Sequence, residues 1–111
     1  MVTITNDGGM VTTSARSPAL PDVPIVGASG YPGFESNSLQ GIVTRAGTPA
    51  AVVSQLNTEV VRILNIPEVR NPIASQGNDI AASSPEEFLA YIRREMEKWG
   101  KVIRTAGIQG D

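Results

Sequence analysis

The sequence contains no cysteine and no histidine. Without cysteine there is no disulfide, no thiolate nucleophile and no cysteine-held zinc, haem or iron–sulfur centre. Without histidine the commonest general base, the commonest metal ligand and the usual partner of a serine nucleophile are missing. Aromatic residues make up only 5% of the chain, so one Trp, two Tyr and two Phe must supply its large aromatic anchors. Charge of either sign is sparse: 9 basic and 11 acidic residues leave a net charge of −2. That balance gives no basic field for nucleic acid or acidic lipid, so neither is expected as a partner. No run approaches the ~20 apolar residues of a membrane span. The opening, Met1 to Met10, has neither the basic nor the apolar region of a secretory signal, so read by itself it points to the cytoplasm.

What remains is enough for one domain. A chain of 111 residues, 41% apolar, has the length and composition to bury roughly 65% of its unfolded surface around one core. Its character changes near Thr48. Glycine and proline crowd the first part, and helical periodicity dominates the second. The turn signal Asp7-Gly8-Gly9 separates two β-leaning runs, Val2 to Thr5 and Met10 to Thr13, which suggests a hairpin. Between residues 15 and 33 four prolines remove backbone donors and push their neighbours toward extended conformations. An irregular connector is expected there, with one helical turn near Ile25 to Ser29. The Gly27, Gly30, Gly33 spacing lacks the G-x-G-x-x-G order of a dinucleotide loop, and turn punctuation accounts for it.

Residues 39–45, with β-branched Ile42, Val43 and Thr44, form the best strand candidate. Thr48 then reads as an N-cap, with Pro49 at the first helical position, for a helix running to Leu64. Val52, Val53, Leu56, Val60 and Ile63 recur at helical spacing as its apolar stripe. Pro67 opens a second, shorter helix ending near Gly77, which Pro72 is expected to kink or break. Residues 78–83 read as a short strand. Ser84-Pro85-Glu86-Glu87 is a capping box with proline in the first turn, and it starts a helix reaching about Thr105 with Gly107 just beyond. On that helix Phe88, Ile92, Met96, Trp99, Val102 and Ile103 read as the buried face. Val52, Leu56, Val60 and Ile63 are expected to share its core.

Few residues suggest chemistry. Glu86 and Glu87 are explained by the cap, and Glu97 with Lys101 reads as an i,i+4 surface pair. No carboxylates converge on a metal geometry, so no metal, cofactor or catalytic residue is expected. Trp99 on an apolar helix face reads as a core anchor before it reads as a stacking platform. Asn37, Ser38 and Gln40 stand just before the strand candidate, where α/β folds place ligands, and are the best local binding candidates.

Residues 15–35, ARSPALPDVPIVGASGYPGFE, carry a longer signature. It continues through Gly41-Ile42-Val43, Ala46-Gly47-Thr48-Pro49-Ala50, Leu56-Asn57-x-Glu59 and Pro67-Glu68-Val69-Arg70. It ends through Gly77, Ser84-Pro85-Glu86-Glu87-Phe88, Trp99-x-x-Val102-Ile103 and Ala106-Gly107-Ile108. In order and spacing this resembles the receptors of tripartite tricarboxylate transporters, the Bordetella uptake gene type of solute-binding protein. Leu39 stands where that pattern usually has an aromatic residue, and Thr44-Arg45 where it usually has Ala-Pro.

The resemblance implies an α/β fold: part of one lobe of a two-lobed periplasmic-binding clamshell, with short strands and a long C-terminal helix. It implies a poorly matching segment over 1–14, a hinge or connector segment over 15–47 ending in a strand, and the C-terminal part of the first lobe over 48–111. The hinge residues Ser36, Asn37, Ser38, Leu39 and Gln40 would lie nearest the ligand. The implied partners are a small organic acid and membrane transporter subunits, and the implied location of the parent family is the periplasm. The chain is expected to be a fragment or short relative of such a receptor, not an enzyme, without tight binding by itself. The alternative is a ligand-free helical module that self-associates through the apolar stripes of its two main helices.

Overall fold

The computed structural model describes residues 9–110. They divide into two units, one comprising the chain through Thr44 together with Ile66–Ile80, the other Arg45–Asn65 together with Ala81–Asp111. Three α-helices are present: α1 (Ala50–Leu64), α2 (Pro67–Ser75) and α3 (Pro85–Ala106). Among the described residues there is no strand, and none of these helices is long and apolar enough to cross a membrane.

The first unit is built around Val11, whose 1% exposure makes it the one fully buried apolar residue among those described. Its backbone bridges Ile25 in parallel: Val11 N donates to Pro24 O at 2.9 Å, and Val26 N to Val11 O at 3.0 Å. Val2 to Thr5, the other half of the expected hairpin, lies outside the described residues. The proline-rich connector is ordered by turns, Leu20 N to Ser17 O and Val23 N to Leu20 O, and by Arg16 Nη1 donating to Pro21 O at 2.9 Å. The expected helical turn is a short 3-10 turn, Val26–Ala28.

The strand expected over 39–45 does not form. Among the described residues no backbone hydrogen bond pairs residues 39–44 with a neighbouring segment, and Ile42 and Val43 are 74% and 77% exposed. Residue type favours a strand here, but a strand exists only as a paired ladder, and the described residues offer none. Residues 78–83 likewise form no ladder. In this unit α2 overturns the expected break: Pro72 lies inside one continuous helix. Pro67 pre-sets the first turn, and the helix closes well at its far end, so one missing donor near the middle is tolerated. Gly77, at φ +79°, donates to Ala74 O at 3.0 Å, and Asn78 N donates to Ile73 O at 3.4 Å, which satisfies the carbonyls left open.

In the second unit α1 packs on α3. Pro49, not Thr48, stands at the N-cap position of α1, and it has no side-chain cap. The Thr48 hydroxyl donates back to Arg45 O at 2.7 Å and closes the preceding turn. The half-buried residues of α1 include Val53, Val60, Val61 and Leu64, whereas Val52, Leu56 and Ile63 are exposed. Adjacent helical residues point about 100° apart, so a single stripe through both Val52 and Val53 was too wide: α1 carries two apolar faces. On α3, Phe88, Tyr91 and Ile92 are half-buried. Met96 is 71% exposed, and Trp99, Val102 and Ile103 are also on the exposed side, which corrects their assignment to a buried face. The Ser84 capping box forms as expected, and Gly107 ends α3 at φ +66°. Glu97 and Lys101 make no ion pair; the pair on α3 is Glu95 with Lys98 at 2.8 Å.

Candidate functional site

The five residues singled out by sequence lie on one irregular stretch of the first unit. Ser36 is tied down through its amide, which donates to Thr12 O at 2.9 Å. The Asn37 amide group donates from Nδ2 to Glu35 Oε1 at 2.6 Å. Asn37 Oδ1 is buried and accepts no hydrogen bond. An acceptor in that state costs about 1–3 kcal/mol relative to a satisfied one. Ser38, Leu39 and Gln40 follow as exposed residues. The segment therefore begins anchored and ends open to solvent.

Two shallow grooves flank this unit's turns. One, of about 310 Å³, is lined by Ser14, Ile25, Gly27, Ala28, Pro32, Gly33, Phe34 and Glu35. The other, of about 210 Å³, is lined by Ser17, Pro18, Ala19, Arg70, Ala74, Gly77, Asn78, Asp79 and Ile80. None of Ser36, Asn37, Ser38, Leu39 and Gln40 lines either groove. Sequence reading missed Glu35, Arg70 and Asp79 as groove residues. Glu35 and Arg70 stood in matched motifs, but only the turns that bring Ser17 and Asp79 near α2 show that Arg70 borders a concavity. Gly27 sits in the first groove where an added Cβ would meet Phe34 O at 3.6 Å, an ordinary contact, so its role there is not steric.

The chemistry on offer is recognition by hydrogen bonds. Among the described residues no cluster of acidic side chains is arranged to hold a metal ion. The polar groups of the segment are hydroxyls, amides and the Glu35 carboxylate, which accept and donate hydrogen bonds without a nucleophile–base pair.

Comparison with known proteins settles the lineage. The tripartite tricarboxylate transporter family receptor model matches residues 9–108. The chain belongs to that family. It is 36% identical over 94 residues to the UPF0065 protein of the tcbD–tcbE intergenic region of Pseudomonas sp., covering 84% of this chain and 28% of that protein. Protein BugT of Bordetella pertussis is 27% identical over 97 residues, covering 87% and 30%. Among solved structures, Rpa4515 of R. palustris with adipate has a TM-score of 0.72 at 32% identity, covering 89% of this chain and 33% of that one. The periplasmic binding protein BugD has a TM-score of 0.74 at 29% identity, covering 92% and 35%. The chain thus spans under a third of the length of these curated relatives.

Proposed function

We propose that this chain is part of a solute-binding receptor that captures small organic carboxylates in the periplasm and presents them to a tripartite tricarboxylate-type membrane transporter. It does no catalysis. The family match over residues 9–108 supports this reading most, and the adipate held by Rpa4515 supports the ligand class. Ser36, Asn37, Ser38, Leu39 and Gln40 are the ligand-proximal residues. The matched residues on either side of this segment, 15–35 before it and Gly41-Ile42-Val43 after it, support that placement. By the resemblance, the chain corresponds to the last third of the receptor.

Binding by these residues alone is weak. An enclosed carboxylate needs several convergent donors, and a clamshell supplies them from both lobes. A few exposed hydrogen bonds give at best millimolar affinity, about 4 kcal/mol. Two measurements test this. In NMR titration with adipate, amides of residues 36–40 shift progressively, and the uncharged hexanediol leaves them in place; shifts absent from that segment would refute the site. In calorimetry with adipate, citrate or glutamate no saturable heat appears at micromolar concentration. A micromolar Kd, lost in the Asn37→Ala and Gln40→Ala variants, would refute the weakness.

A further inference from the structure

We propose that the groove at the end of α2 binds a small zwitterion, a short chain carrying one ammonium and one carboxylate. None of residues 36–40 lines this groove, so it is a second site. Two charges of opposite sign, Arg70 and Asp79, share its concavity of about 210 Å³. They do not pair with each other. Among the described residues the Asp79 carboxylate makes neither an ion pair nor a hydrogen bond. Unlike charges that line one concavity and stay apart are matched by a ligand that carries both signs and spans them.

Ser17 adds an independent observation. It lines the same groove, and only 8% of its surface is exposed. Its carbonyl accepts from Leu20 N, whereas its hydroxyl has no partner among the described residues. Polar groups buried to that degree are ordinarily satisfied by protein, water or ligand. A serine hydroxyl donates to a carboxylate or accepts from an ammonium, so it suits either end of the molecule.

The course of α2 orients the ligand. Arg70 and Ala74 stand one turn apart on the same face, about 6 Å along the axis. Asp79 follows two residues after Gly77, whose positive φ closes the helix. The cation of the groove is therefore on the helix and the anion just past its C-terminus, where the carbonyl ends add partial negative charge. Asp79 holds the ammonium at that end. Arg70 holds the carboxylate with a guanidinium fork whose five donors serve more than one partner. The volume admits a chain of a few carbons. Because the groove is shallow and both charges meet solvent, affinity lies in the millimolar range. This site does not depend on the ligand reading above.

The test uses the whole chain, titrated with glycine, β-alanine and γ-aminobutyrate and followed by NMR. The amides of Ser17, Asn78 and Asp79 should shift saturably for at least one chain length. The alkanoate and the alkylamine of matching length should each bind at least about threefold more weakly. Asp79→Asn should erase the preference for the zwitterion over the alkanoate, and Arg70→Gln the preference over the alkylamine. Ser17→Ala should raise Kd about threefold. Asp79 has no partner to lose, so Asp79→Asn should leave the rest of the amide spectrum in place. No saturable shift at any chain length overturns the proposal, as does a zwitterion preference that survives Asp79→Asn. Shifts confined to residues 36–40 overturn it too, and leave the carboxylate reading of that segment standing.

Discussion

Ser84 and Glu87 hold each other at the start of α3. Ser84 Oγ accepts from Glu87 N at 3.1 Å, and Glu87 Oε2 accepts from Ser84 N at 2.9 Å. Two amides that the first turn leaves open are thereby satisfied by one pair of residues. Replacing Ser84 with Ala removes the bond from Glu87 N and leaves the bond from the residue 84 amide to the carboxylate in place. The expected loss is ~0.5–2 kcal/mol, read from urea unfolding followed by helicity. A midpoint that does not move would show that α3 starts independently of its box.

The same pair makes acid sensitivity local to α3. The Ser84 amide, and secondarily its hydroxyl, hold the Glu87 carboxyl below the usual glutamate range. A depressed pKa contributes stability that is present above the unfolded value and fades as pH falls through the folded one. Glu87→Gln should therefore lower stability at neutral pH and flatten its fall below about pH 4.5, so that the two proteins converge in acid. Parallel acid unfolding curves of the two proteins would contradict this.

The two faces of α1 give a graded prediction. Leu56 is 47% exposed, whereas Leu64 belongs to the half-buried face. A fully buried leucine costs ~2–5 kcal/mol when cut to alanine. Leu56→Ala should cost about 1 kcal/mol or less, and Leu64→Ala clearly more, by chemical denaturation. Equal losses would mean that α1 is covered on both faces in solution.

How much of this was legible in the sequence follows the range of each interaction. Caps and stops are local, so Ser84, Gly77 and Gly107 announced their roles, and the three helices begin and end within about two residues of expectation. The strand over 39–45 depends on a partner, which no local pattern contains. Val52 beside Val53 hid two faces under one stripe, because periodicity alone does not say which is covered. The break expected at Pro72 fails for a related reason: its penalty is local and visible, while the proline start and glycine stop that offset it lie at opposite ends of α2. At the candidate site the motif located the segment, but the pairing of Glu35 with Asn37 depends on a backbone course no motif records.

Pro72 therefore offers a gain-of-stability test. Inside α2 it lacks the amide that would bond the carbonyl of Glu68, and its ring crowds that carbonyl. An interior proline costs ~3 kcal/mol, offset by roughly 0.4–1 kcal/mol from its stiffening of the unfolded chain. Pro72→Ala should raise stability by about 2 kcal/mol, with slower amide exchange over α2. A loss would mean that the proline ring itself is packed in the native fold.

Glu95 joins the single tryptophan to a titratable group. Trp99 Nε1 donates to Glu95 Oε2 at 2.8 Å, and Lys98 Nζ donates to Oε1 at 2.8 Å. The ammonium of Lys98 also stands 5.1 Å from the Trp99 ring centre, close enough for a cation–π contact. The bond from Lys98, followed by that from Trp99, holds the Glu95 carboxyl below its usual range against the opposing effect of partial burial. Protonation removes the charge that both donors address. The sign follows: the arrangement is intact above the ordinary glutamate pKa and is released as pH falls through the lowered one. Because Trp99 is the only tryptophan, its emission reports this step alone. An acid titration should show an emission change with a midpoint below 4.5, the ordinary glutamate value, before far-ultraviolet signal is lost. Glu95→Gln should abolish the step, and Lys98→Met should move its midpoint upward, since the larger of the two stabilising bonds is gone. A midpoint unmoved by Lys98→Met would assign the lowering to Trp99 instead and refute the order of the two effects.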